Sequence, residues 1–88
     1  MALVWIPALL RDLTGGQECI RVEAGTVVEV VDELERRFPG FAERICEEGR
    51  LRPSMSVVVD GVVSRQKLRR RLEPESEVHF LPAISGGD

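Results

Sequence analysis

The sequence predicts an α+β fold in which one amphipathic helix packs across a mixed sheet. Three observations carry this. Strand-like, β-branched runs open and close the chain. A single capped helical stretch with one apolar stripe lies between them. Glycine- or proline-marked turns separate nearly every element. At 88 residues the chain is one small domain. Such a domain buries roughly 60–65% of the surface its unfolded chain exposes, enough for one modest core.

The first strand is expected within Leu3-Val4-Trp5-Ile6-Pro7-Ala8-Leu9-Leu10, with Pro7 marking an edge position or a bend near the strand end. Thr14-Gly15-Gly16-Gln17 reads as a hairpin turn. Glu18 to Glu23 alternates polar and apolar residues, which places Ile20 and Val22 on one face of a second strand. Thr26-Val27-Val28-Glu29 is a capping box, with Thr26 at the N-cap. Behind it Val27, Val30, Val31, Leu34 and Phe38 form the apolar stripe, and Pro39-Gly40 ends the helix. Phe41 to Cys46 is expected as a short helical turn, and Glu47 to Arg50 as a polar loop.

Met55 to Val59 is a β-branched strand, and Asp60-Gly61 is the dipeptide of a type I′ turn leading into Val62-Val63. Ser64 to Arg71 is polar and basic, anchored by Leu68. After a turn at Pro74 to Glu77, the last strand should point Val78 and Phe80 inward and His79 and Leu81 outward. Terminal strands side by side under one crossing helix make a β-grasp arrangement. The expected division is a β-grasp domain over 1–82 and a flexible tail over 83–88.

Composition excludes some functions. The net charge of -3 gives no general bias toward nucleic acid or anionic membrane. No apolar run approaches the ~20 residues of a membrane span, and Met1 to Trp5 has no basic leader, so the expected location is cytoplasmic. Cys19 and Cys46 form no CxxC pair, and His79 is the only histidine, so zinc ligands are lacking. Both thiols are expected free and buried. The serines have one histidine among them, which makes nucleophilic catalysis by Ser54, Ser56, Ser64, Ser76 or Ser85 a weak reading. The basic cluster Lys67, Arg69, Arg70 and Arg71 reads first as a solvated turn offset by Glu73, Glu75 and Glu77. Its other reading is complementarity to an acidic partner surface.

The end of the chain is the candidate functional centre. A Gly86-Gly87 pair follows a strand end at Leu81-Pro82, and Asp88 comes after it. Paired glycines add nothing to a core, but they make a thin thread that can enter a narrow enzyme channel. Taken alone, such a pair is most simply a frayed terminus.

The element order, the Ile6-Pro7 step, the Thr14-Gly15-Gly16 turn, the Val59-Asp60-Gly61 hairpin and the ending Leu81-Pro82-Ala83-Ile84-Ser85-Gly86-Gly87 together resemble the ThiS/MoaD family of ubiquitin-like sulfur carriers. Within it, the carriers of mycobacterial cysteine biosynthesis are the most similar. The resemblance implies that Gly87 is adenylated and converted to a thiocarboxylate, that Gly86 serves tail recognition, and that Leu81 and Ile84 dock the partner. Trp5, out of phase with Val4 and Ile6, is expected to be exposed on the same face and joins them as a docking candidate because tryptophan is enriched in interface hot spots. The resemblance implies no bound cofactor, because ATP is used by a ubiquitin-activating-type adenylyltransferase. The other implied partners are a sulfur donor and a PLP-dependent cysteine synthase or other acceptor enzyme. Asp88 departs from the family pattern, in which the last glycine ends the chain. It implies a precursor that a metallopeptidase trims. The molybdopterin synthase small subunit, a protein modifier forming isopeptide bonds, and an interaction module with an inert tail remain the rival readings.

Overall fold

The computed structural model describes residues 1–83. The tail residues Ile84, Gly86, Gly87 and Asp88, named above as sites, lie outside the described residues. The elements are β1 (Ala2–Trp5), β2 (Cys19–Val22), α1 (Val27–Arg37), α2 (Phe41–Ile45), β3 (Cys46–Glu47), β4 (Arg50–Leu51), β5 (Met55–Val59), β6 (Val62–Val63) and β7 (Glu77–Pro82), with 3₁₀ turns at Ala8–Leu10 and Lys67–Arg69. The main sheet has the strand order β2-β1-β7-β5-β6. β1 and β7 are parallel neighbours at its centre, and the other pairings are antiparallel. This is the expected β-grasp arrangement.

The helix forms where the sequence places it. Thr26 is extended, and its Oγ1 accepts the Glu29 N–H at 3.3 Å. The return bond of the box lands one residue early, from the Gly25 N–H to Glu29 Oε1 at 2.7 Å. Val27, Val30, Val31 and Leu34 are buried, while Phe38 is only half-buried because it caps the helix C-terminus. The Glu35 carboxylate then accepts the N–H groups of Ala42 and Gly40 and ties α2 to α1. These backbone donors hold its carboxyl below the usual carboxylate range, with the Ala42 N–H contributing most.

Three sequence expectations change. Pro7 does mark a bend: the strand stops at Trp5 and Pro7 heads the 3₁₀ turn. The strand is not an edge, however, because β7 pairs along its free side. The polar loop after α2 is a small hairpin in which Cys46 faces Leu51 and Glu47 faces Arg50. Its turn residues Glu48 and Gly49 both have positive φ (55° and 77°), as a type I′ turn requires. Asp60 and Gly61 turn the β5–β6 hairpin in the same way (51° and 83°). Finally, the cysteines are free but not buried: Cys19 is exposed on β2, and Cys46 is half-buried. Cys19 is exposed because Ile20 and Val22 take the inward positions of that strand. Partial burial pushes the Cys46 thiol up from its ordinary value.

The candidate docking face and the root of the tail

Alternation along each strand sends one set of side chains under α1 and the other to the open face of the sheet. Val78 and Phe80 are fully buried, while His79 is half-buried and Leu81 is 42% exposed, as the sequence predicts. The pairing register then builds one row across all five strands. Cys19 faces Trp5, Trp5 faces His79, His79 faces Val58, and Val58 faces Val63. Val63 is 64% exposed.

Trp5 shares this outer face with Leu81, but it is half-buried rather than exposed. Its indole lies flat on the His79 ring, with centroids 5.5 Å apart and planes 5° from parallel. The two rings meet because the parallel register sets their residues side by side. Sequence reasoning placed His79 outward but missed its part in the row, along with Val58 and Val63. The signal that could have found them is the outward phase of every strand, read together with the β1–β7 pairing.

Beside the stack runs a groove of about 320 Å³ between the Pro7–Leu9 turn and the end of β7. Trp5, Pro7, Leu9, Leu81 and Pro82 line it. Leu9 is 73% exposed. Trp5 Nε1 is buried and has no hydrogen-bond partner among the described residues. A buried N–H without an acceptor carries its full desolvation cost.

The groove ends at the root of the tail, where β7 is held firmly. Ala83 donates its N–H to the Ser54 carbonyl at 2.7 Å. Successive N–H groups point to opposite sides of a strand, so a donor at position 82 would point away from β5. On that side β1 has already ended, its last partner being His79. Pro82 therefore costs the sheet no ladder bond, which is the physical reason a proline can sit here in a central strand. Leu81 sits just before this exit and opposite Ser56.

The hydroxyls carry structure. Ser76 Oγ donates to Asp60 Oδ2 at 2.9 Å and accepts the Glu73 N–H at 2.8 Å. Ser64 Oγ accepts the Lys67 N–H. Of the acidic residues after the basic cluster, Glu75 approaches the N-terminal ammonium at 3.7 Å. Among the described residues no group of three or more His, Cys, Asp or Glu could hold a metal ion, and no helix is long and apolar enough to cross a membrane.

A five-stranded β-grasp sheet with one covered face and one open apolar face defines the ubiquitin-like class of fold. The ThiS family pattern matches residues 4–87, nearly the whole chain and as far as the second glycine, and the chain belongs to that family. It is 30% identical over 89 residues to the sulfur carrier protein CysO of Mycobacterium tuberculosis, with 96% of each chain covered. It is 31% identical over 64 residues to the small archaeal modifier protein 3 of Haloferax volcanii, covering 70% of each. Among solved structures, the Amycolatopsis orientalis BexX/CysO complex contains a chain that matches with a TM-score of 0.90 at 30% identity. That match covers 99% of this chain and 100% of the other.

Proposed function

We propose that this protein is a sulfur carrier whose reactive atom is the Gly87 carbonyl carbon. The observation that carries the proposal is the family match, which extends through the terminal glycines to residue 87 and stops there. The 30% identity to a sulfur carrier protein over 96% of both chains supports it.

In the written sequence the Gly87 carboxyl is in a peptide bond to Asp88. Hydrolysis of that bond by a metallopeptidase frees it. A carboxylate is a poor electrophile, so an adenylyltransferase transfers AMP from ATP to it and releases pyrophosphate. A sulfur donor then attacks the carbonyl, AMP leaves, and a thiocarboxylate remains. Its sulfur is a soft nucleophile, as thiolates are. Oxyanion stabilisation at the tetrahedral stage falls to the partner's donors. Glycine at 86 and 87 keeps the backbone narrow and the carbonyl open. The acceptor is an activated serine derivative supplied by a PLP-dependent cysteine synthase, or the substrate of another acceptor enzyme. In the serine case the sulfur attacks the β-carbon and the activating group leaves. An S-to-N acyl shift passes the Gly87 carbonyl to the amine, and hydrolysis of that amide by a metallopeptidase releases cysteine.

On this reading the open face docks the activating enzyme. Leu81, Trp5 and Ile84 are the contacts the sequence nominates, and the row through His79, Val58 and Val63 enlarges that surface. The test is intact mass spectrometry of protein taken from its native cell under sulfur demand. Loss of Asp88 and exchange of one oxygen for sulfur are expected. A population that stays full-length and unmodified would overturn the carrier reading.

The likeness to an archaeal modifier protein favours a second reading, in which Gly87 is joined to lysines of target proteins. High-mass conjugates that disappear when Gly86 and Gly87 are deleted would establish it.

A further inference from the structure

We propose that a second surface, separate from the open sheet face, receives an acidic extended segment of the protein partner that handles the tail. It is the groove of about 810 Å³ between the β3–β4 hairpin and the 3₁₀ turn at Lys67–Arg69. Arg50 lines one side, and Arg65, Lys67 and Arg69 line the other. Only the partner's identity rests on the carrier reading.

The charge state of the groove is the primary observation. Arg36, Arg37, Arg44 and Arg52 each sit in an ion pair. Among the described residues none of the four groove cations does. Two carboxylates, Glu47 and Glu48, also line the groove. Glu47 is already turned to Arg52 at 3.5 Å, so it does little to neutralise the opposite wall. A positive surplus is thus gathered in one place on a chain whose net charge is -3. Collected like charges repel, and a complementary anionic surface relieves that repulsion.

The frame under these charges is fixed. Leu68 packs against the core between two of them. Ser64 donates its N–H to the Val57 carbonyl and accepts the Lys67 N–H on its hydroxyl. Arg70 accepts the Val27 N–H on its carbonyl, locking the far end of the segment to the start of α1. This framing also changes the membership of the basic cluster. Arg70 is half-buried and donates to the Arg71 carbonyl, and Arg71 bridges to Thr26. Arg50 and Arg65 take their places in the groove.

The chemistry of the groove selects the occupant. A single phosphate is best held by a nest of free backbone N–H groups. At the 3₁₀ turn three of the donors are spent: Lys67 on Ser64, Arg69 on the Gln66 carbonyl, Arg70 on the Lys67 carbonyl. A nucleic acid strand calls for aromatic platforms, and no aromatic residue lines the groove. Separated side-chain cations on two walls fit carboxylates spaced along a peptide. Position points to the partner. Pro53 lines the groove, and its neighbour Ser54 holds Ala83 at the root of the tail. The groove thus begins one residue along the chain from the anchor of the tail, within reach of an enzyme that takes it.

The experiment is an amide chemical-shift titration of the full chain at low salt with an oligoglutamate peptide. Shifts confined to Arg50 and the Arg65–Arg69 segment are expected, with affinity falling steeply as salt rises. Combining Arg50→Glu, Arg65→Glu and Arg69→Glu should weaken binding by about tenfold or more, while Arg36→Glu on α1 leaves it unchanged. If the triple variant loses its folded spectrum, Arg65→Gln with Arg69→Gln replaces it and should weaken binding in the same direction. Shifts spread evenly over all exposed cations would overturn the proposal. So would absence of binding, or displacement by an oligonucleotide of equal charge that binds the same residues more tightly. The footprint does not involve Gly87, so a failed thiocarboxylate measurement leaves this result standing.

Discussion

The two faces of the sheet are built from the same strands and differ in almost everything else. On the inner face Val4, Val57, Val59, Val78 and Phe80 are at most 1% exposed beneath α1. On the outer face the alternate residues of those strands, Trp5, Val58, His79 and Leu81, have no helix over them. The inner residues are explained by folding, because each removes apolar surface from water. The outer ones are not, since a sheet with one solvated face is normally polar there. An uncovered apolar row beside a fixed tail root is the kind of surface that suits recognition, and on the proposed function it docks the activating enzyme. Changes on the inner face should therefore cost stability, and changes on the outer face should cost binding.

The largest expected effect is on the inner face. Phe80 is fully buried and meets Phe41 edge-on, with centroids 6.5 Å apart and planes at 74°. Phe80→Ala should cost about 3–5 kcal/mol, read as a fall in the urea midpoint. That is a large share of the ~5–15 kcal/mol that holds a typical domain together. A loss below about 1 kcal/mol would erase the proposed difference between the faces. At the helix that covers this face, Thr26→Ala removes the acceptor for the Glu29 N–H and should cost about 1 kcal/mol in the same assay.

Local rules exposed much of this division in the sequence. Alternation along the last strand placed Val78 and Phe80 inward, the capping box set the helix start, and Asp60-Gly61 set a turn. What stayed hidden depended on register between distant segments. Trp5 and His79 stack only because β1 and β7 run parallel in one alignment, and no local pattern states that alignment. The β3–β4 hairpin was hidden for another reason. Its strands are two residues long, and its Glu48-Gly49 turn lacks the Asn or Asp that usually announces positive φ. For the tail the glycine pair itself was the signal, and the match through residue 87 extends it.

A smaller effect sharpens the comparison at the rim where the faces meet. Asp60 accepts the Glu77 N–H at 2.9 Å and the Ser76 hydroxyl at 2.9 Å, joining the β5–β6 turn to the start of β7. These bonds hold its carboxyl below the ordinary value, the Glu77 N–H contributing most. A carboxyl depressed in the folded state adds stability that is fully present above its unfolded pKa of about 3.9. That stability is lost as pH falls through the lower, folded value. Asp60→Asn tolerates the positive φ and should cost about 1 kcal/mol or less near neutrality. The gap between variant and parent should close as acid denaturation proceeds. A gap that widens below pH ~4 would show that the carboxylate is not the stabilising species.

The smallest effect on stability should accompany a clear effect on binding. Leu81 is 42% exposed, faces Ser56 across β5, and stands just before the Pro82–Ala83 root of the tail. Threonine suits a strand as well as leucine does and removes most of the apolar surface. Leu81→Thr should therefore change the unfolding free energy read from the urea midpoint by no more than about 0.5 kcal/mol. If the outer face docks the activating enzyme, the same substitution in carrier ending at Gly87 should raise the carrier concentration needed for half-maximal ATP–pyrophosphate exchange by several-fold. The maximal rate should be preserved, because the substitution leaves the glycines that enter the enzyme unchanged. A Leu81→Thr variant that exchanges like the parent would confine recognition to the tail and leave the apolar row without a function. A variant that loses stability instead would mean that the outer face, like the inner one, serves the fold.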